Sequence, residues 1–271
     1  MVEVTGSNPV SPTKNTNENC SLSFFNPTQP SFDLHPVTNS LQCKAMKPKF
    51  LAEEFLLALY FLIFSVVSVF VLYWSQSPSG VKLASLTLLF HLSFVGLSLA
   101  LRWHTPFRIW KFLVPLSIFM VFPDWFLSSA LQILVFPDDG FLKIGTVSGY
   151  MAGLWVIPLF ICVYTGIKLE EMSVSIIGTG LWVGITALVI FGTSEATMWA
   201  LGSWYPQNVK MWGKVAYYVL VPEMILGITA YLAYQGFSYS AYIFQIAMGF
   251  LVMILYIGNL SFFYLLIEKI L

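Results

Sequence analysis

From Phe50 onward the chain alternates between long apolar runs and short breaks rich in Pro, Gly, Ser and Asp. A helix needs about 20 apolar residues to cross roughly 30 Å of hydrocarbon. Runs near 52–74, 81–102, 109–136, 149–167, 172–194, 214–234 and 241–267 meet that requirement. The pattern predicts an all-α fold, a polytopic transmembrane helical bundle of seven spans. Ser77-Pro78-Ser79-Gly80, Phe136-Pro137-Asp138-Asp139-Gly140 and Tyr234-Gln235-Gly236 punctuate it. As one helix the run 109–136 would be about 42 Å long, and with Pro115 and Pro123 it is expected to tilt, kink or break. Region 195–213 mixes Trp199, Trp204, Tyr205 and Trp212 with Pro206, Asn208 and Lys210, which predicts an interfacial or re-entrant loop with an aromatic belt.

Residues 1–45 follow a different rule. They are rich in Asn, Ser, Thr and Pro without apolar periodicity. Two readings stay open. One is a disordered tail, since such a composition cannot bury enough apolar surface to order itself. The other is an over-extended start: Gly6-Ser7-Asn8-Pro9 matches what the T-arm of a transfer-RNA gene encodes, and Met46, before Lys47-Pro48-Lys49, suits an initiation site. A secretory signal is not expected, because a basic start followed by an apolar core is missing.

Composition fixes the solvent. Hydrophobic residues make up 58% of the chain and charged residues 10%, against roughly 25% charged in soluble domains, so lipid must face most of the surface. The 13 basic and 13 acidic residues balance, which excludes the basic stripe a nucleic-acid partner requires and a polybasic lipid-binding tail. The expected partners are membrane lipid and a lipophilic small molecule. Cys20, Cys43 and Cys162 form neither a disulfide framework nor a zinc spacing, and Cys162 reads as a small buried apolar residue. No metal-binding motif, prenyl-diphosphate motif or Gly-rich phosphate loop is present, so neither a metal nor a cofactor is expected. Lys44, Lys47, Lys49, Arg102, Arg108, Lys111 and Lys168 fall on one side of a seven-span topology. Lys82, Lys143, Lys210, Lys214 and Lys269 fall on the other, and the bias predicts a cytoplasmic N-terminus. The pairs Gly149/Gly153 and Gly180/Gly184 are expected to pack helices closely within the bundle.

Against this background the intramembrane polar groups stand out. His91, Asp124 and Glu223 fall near the middles of the second, third and sixth runs, and all three are expected at the bilayer midplane. A charged group there costs about 2.5–3.5 kcal/mol on insertion scales, so the three are expected to face inward and meet. A low-dielectric site favours the uncharged form of a carboxylic acid, which can then donate a proton, while a histidine can accept or orient one. Pro123 and Pro222 directly precede the two acids, and a proline inside a helix frees a backbone carbonyl one turn back. The two Pro-acid pairs fall on the third helix of successive groups of three, as in a three-plus-three inverted repeat with an added helix. Glu195, in Thr193-Ser194-Glu195, is a fourth candidate, either an interfacial carboxylate or part of the site. Gln245 and Asn259 are expected to make interhelical hydrogen bonds or to join the site. Asp138 and Asp139 are expected to be solvated in a turn. Trp125, Trp155 and Trp182 fall within or near span interiors, where an aromatic face could stabilise a cation.

The stretch from Ser194-Glu195 through Trp204-Tyr205 to Val221-Pro222-Glu223 resembles polytopic carotenoid-processing hydratases and cyclases. In size and span number the chain is similar to integral-membrane terpene cyclases, and it also resembles an uncharacterised family of small seven-span proteins. The first resemblance implies acidic residues acting on a lipophilic isoprenoid. Three functions remain open: an intramembrane acid–base enzyme of isomerase, hydratase or cyclase type, with Asp124, Glu223, His91 and Glu195 as catalytic residues; a proton-coupled small-solute transporter; and a non-catalytic membrane protein whose polar groups fix helix register.

Overall fold

The computed structural model describes residues 48–271. The 1–45 segment with both its readings, Cys20, Cys43, Lys44, Met46 and Lys47 lie outside the described residues. A helix runs from Pro48 to Trp74, and all packing described below lies within the unit Phe55–Leu271.

Among the described residues, seven helices are long and apolar enough to cross a membrane: Glu53–Trp74, Ser79–Ala100, His104–Ala130, Met151–Glu171, Ile176–Leu201, Tyr217–Phe237 and Tyr242–Ile270. These spans, numbered one to seven, make the chain an integral, multi-pass membrane protein of helical-bundle class. Span one turns Leu57 and Tyr60 inward and leaves Phe55, Leu62, Val66 and Val69 exposed, an outer face suited to acyl chains.

Two predicted boundaries are corrected. The run expected over 109–136 is helical only from His104 to Ala130, and its last turn, Phe126–Ala130, widens to a π-helix. Gln132 at φ +56° then turns the chain out of the helix, and Leu134–Val135 becomes strand β1. A continuous apolar run does not distinguish a helix from a short buried strand; Ile133, Leu134 and Phe136 are apolar because they are buried in a loop. The fifth span was expected to end at 194. Instead it continues as α-helix to Thr197 and as a 3₁₀ turn over Met198–Leu201, stopping at Gly202 in the left-handed region. Glu195 therefore sits inside a helix, not in the loop that follows it.

The loops after spans one, three and five gather at one end of the bundle and build a cap from six two-residue strands. β2 (Lys143–Ile144) pairs with β3 (Val147–Ser148), and β5 (Met211–Trp212) with β6 (Val215–Ala216), as two antiparallel hairpins. β1 pairs antiparallel with β4 (Tyr205–Pro206), which ties the loop after span three to the loop after span five. Gln207 N donates to Ile133 O at 2.9 Å and Gly80 N to Asp139 O at 2.8 Å. Lys210 N donates to Glu268 Oε1 at 2.9 Å, joining the end of span seven.

Asp139, expected in water, is buried. Its carboxylate accepts from Ser148 Oγ and from Phe141 N, and it lies 3.9 Å from Lys143 Nζ. Lys143 Nζ also donates to Pro137 O at 2.6 Å and to Ser148 Oγ at 3.0 Å. A buried charge is tolerable when paired and hydrogen-bonded on several sides, and this knot stiffens the cap. Asp138 is exposed.

Helix packing follows the small-residue expectation only in part. Gly153 faces His91 and Thr87 of span two, and Gly184 faces Ile228 of span six, but an added Cβ at Gly180 would meet nothing within 4 Å. The tightest approach is elsewhere: a Cβ at Gly166 would lie within 2.8 Å of three Tyr231 ring atoms, and Tyr231 is fully buried. Gly166→Ala should therefore lower stability by about 1–3 kcal/mol through overpacking. Gly180→Ala should leave it unchanged or raise it by up to about 1 kcal/mol through helix propensity. Thermal unfolding of the two purified variants in detergent checks the pair, and equal melting temperatures would contradict the packing described.

Candidate functional site

Spans three to seven line a cavity of about 200 Å³ directly beneath the cap. Leu134, Phe136 and Trp204 form its cap side. Met151, Leu154, Trp155 and Pro158 from span four and Ile190, Phe191 and Met198 from span five form much of its wall. Into this apolar and aromatic chamber project three carboxyl groups, Asp124, Glu195 and Glu223, together with Tyr218 and Tyr256.

The three acids lie at equal sequence distances from the cap-side ends of their helices. Asp124 precedes Ala130 by six residues, Glu195 precedes Leu201 by six, and Glu223 follows Tyr217 by six. All three therefore lie within about two turns of the cap-side ends of their helices. Asp124 and Glu223, expected at the midplane, each lie nearer the cap-side end of their helix than the opposite end, because the apolar residues that lengthen run three belong to the cap.

Each acid is held differently. Trp155 Nε1 donates to Asp124 Oδ2 at 3.1 Å. Trp204 Nε1, reaching down from the cap, donates to Glu195 Oε1 at 2.8 Å. Glu223 is only 3% exposed, and its Oε2 has no hydrogen-bond partner among the described residues. An indole N–H can only donate, so Asp124 and Glu195 each present an oxygen at a fixed position, whereas Glu223 retains an uncommitted acceptor. Backbone irregularity adjoins Asp124. Pro123 precedes it, the π-turn Phe126–Ala130 follows, and Ser128 Oγ donates to the Asp124 carbonyl at 2.7 Å. Single π-turns within helices often mark functional sites. Pro222 stands at the same place before Glu223.

The three carboxyls share one cavity wall, and among the described residues no Lys, Arg or His lines it. Charge that accumulates here must be balanced by protons or by what enters. Trp155 is the aromatic hub, with its ring centroid 5.4 Å from that of Phe191 and 6.0 Å from that of Tyr256. Among the described residues no three His, Cys, Asp or Glu side chains come together as a metal-binding group.

His91 does not join the acids. It is half-buried between spans two, three and four and is not part of the cavity wall. Its Nδ1 accepts from Trp110 Nε1 at 2.9 Å. That bond leaves Nε2 to carry the proton toward Gly153 O, 3.2 Å away. Both ring nitrogens are committed, and the two hydrogen bonds join spans two, three and four. The expected convergence of His91, Asp124 and Glu223 is replaced by that of Asp124, Glu195 and Glu223. Gln245 donates to Ser238 O and Ser240 O in the loop between spans six and seven, and Asn259 donates back to Leu255 O on its own helix; neither reaches the cavity. Tyr218 and Tyr256 escaped the sequence reading. In a chain this rich in aromatics, a tyrosine in an apolar run carries no mark of which way its hydroxyl points.

A family-wide sequence profile described as a domain of unknown function (DUF6989) matches residues 121–267. Every residue that lines the cavity, from Asp124 to Tyr256, falls inside the matched segment, and His91 falls outside it. No curated protein and no solved structure matches the chain.

Trp204→Phe keeps most of the ring but removes the donor to Glu195, and it should cost about 1–3 kcal/mol by leaving a carboxyl oxygen without its partner. Trp199→Phe is the control, since that indole is exposed and donates to the backbone of its own turn, so its effect should stay within about 0.5 kcal/mol. Thermal unfolding of the purified proteins should separate the two variants by several degrees; coincident curves would contradict the clamp.

Proposed function

We propose that this chain, which belongs to the DUF6989 family, is an intramembrane acid–base enzyme acting on an unsaturated lipophilic substrate of isoprenoid-like character. The observation that supports this reading most directly is Glu223, a buried carboxyl with an unpartnered oxygen on the wall of an otherwise apolar and aromatic cavity. A membrane protein leaves such a group in place at a cost, and intramembrane ionisable residues mark function by default.

The chemistry needs only protons. One carboxylic acid of the trio gives its O–H proton to a carbon of a double bond, whose π electrons form the new C–H bond. The neighbouring carbon becomes cationic, and the faces of Trp155, Tyr256 and Trp204 offer it electron density. A second carboxyl, as carboxylate, takes a proton from the adjacent carbon, and the released C–H pair closes a shifted double bond. The product is an isomer of the substrate, with the protons balanced between two acids. If a second double bond of the same molecule traps the cation, a ring forms by the same accounting. Asp124 and Glu195, oriented by indole N–H groups, suit the fixed partner in this exchange, and Glu223 suits the group that meets the substrate. The apolar remainder of the wall favours a lipophilic occupant over a small polar solute, which sets this reading above proton-coupled transport.

Lipid extracts from cells carrying the wild-type chain should contain a lipophilic species of unchanged elemental composition but altered double-bond position or ring number. That species should be absent from cells lacking the chain and reduced at least tenfold by Glu223→Gln and by Asp124→Asn. Indistinguishable extracts with and without the wild-type protein, or full product formation by Glu223→Gln, would overturn the proposal.

A further inference from the structure

Among the described residues the cavity wall carries three carboxyl groups and no basic side chain, and that imbalance points to the charge of its ligand. The other buried acid among the described residues is neutralised locally: Asp139 has Lys143 at 3.9 Å and two hydrogen-bond donors. Asp124 and Glu195 have one indole N–H each, and Glu223 Oε2 has no hydrogen-bond partner among the described residues. Neutral donors orient a carboxylate without cancelling its charge, so in an apolar chamber that charge is balanced either by a proton or by an entering cation that takes the proton's place. The remaining wall supplies aromatic rings, Trp155, Trp204, Tyr218 and Tyr256, whose faces attract cations. Carboxylates beside aromatic faces within an apolar enclosure form the recognition pattern for an ammonium group on a hydrophobic body. They repel anions and give a neutral lipid no polar partner of opposite charge.

We infer that this cavity binds lipophilic organic cations, a protonated amine or quaternary ammonium carrying an apolar chain, with Glu223 as the principal counter-ion and Trp155 and Tyr256 as the aromatic wall. The inference rests on reading the cavity as a ligand site and names the charge class it selects; it does not require turnover. The cation could be the resident ligand itself or could imitate a positively charged reaction intermediate, and the shared chemistry is positive charge on an apolar frame.

The test uses the full chain in nanodiscs of zwitterionic lipid, with empty nanodiscs subtracted. N,N-dimethyldecylamine, protonated at neutral pH, is compared with decanol, its uncharged counterpart of equal chain length, by intrinsic tryptophan fluorescence. The amine should bind saturably and at least tenfold more tightly than the alcohol, and Glu223→Gln should abolish that preference while the protein remains monodisperse. Equal affinity for amine and alcohol in the wild-type protein, or an undiminished preference in Glu223→Gln, would overturn the inference. Because the wild-type comparison is decisive by itself, a variant that fails to fold leaves the test intact. The outcome is independent of the lipid extracts: a protein that binds amines yet alters no lipid retains the cation site and loses the catalytic role, and the converse result loses only the cation site.

Discussion

Desolvation of three carboxyl groups in one apolar chamber is the constraint around which this bundle is arranged. Each group would be far more stable in water, so each position must be held by something that outweighs the tendency to expose it. Helices supply that hold, because Asp124, Glu195 and Glu223 sit within spans whose backbone hydrogen bonds are already internal and cannot be rearranged in lipid. Two indoles then fix two of the acids at 3.1 and 2.8 Å, and the third keeps an oxygen free.

The cap serves the same end. Its six short strands are too small to be stable by themselves, yet they seal one end of the chamber with Leu134, Phe136 and Trp204. Pairing of β1 with β4 joins two loops about 70 residues apart in sequence, and the Asp139–Lys143–Ser148 knot braces the same region from the other side. Trp204 links cap and site, since it is at once part of the wall and the donor to Glu195. Any movement of the loop after span five would be felt at that carboxyl.

Bundle packing explains why the chamber exists where it does. Near the opposite end, spans four and six touch so closely at Gly166 and Tyr231 that no side chain fits between them. Spans five and six meet nearly as tightly at Gly227 and Ala187. Toward the cap the wall of the same helices carries Trp155, Met198 and Tyr218. Large rings there leave space that small residues elsewhere remove.

Much of the architecture was legible from the chain alone. Seven apolar runs of about 20 residues, broken by proline and glycine, dictate seven helices, because a continuous apolar run of that length satisfies its backbone in lipid as a helix and not as the short alternating strands of a barrel. The improbability of acids in such runs pointed to Asp124, Glu223 and Glu195 as site candidates. What the linear pattern could not contain was rotation about each helix axis. That rotation directs His91 toward Trp110 and Gly153 and away from the cavity, and brings Tyr218 and Tyr256 to it. Nor could it show that Ile133–Phe136 is a buried loop and not helix, since burial makes either apolar, or that Asp139 finds a lysine and a serine in the cap instead of water. Sequence determined which groups the membrane must hide. Only the packing of one helix against another decided which of them share a space, because that depends on contacts between residues far apart in the chain.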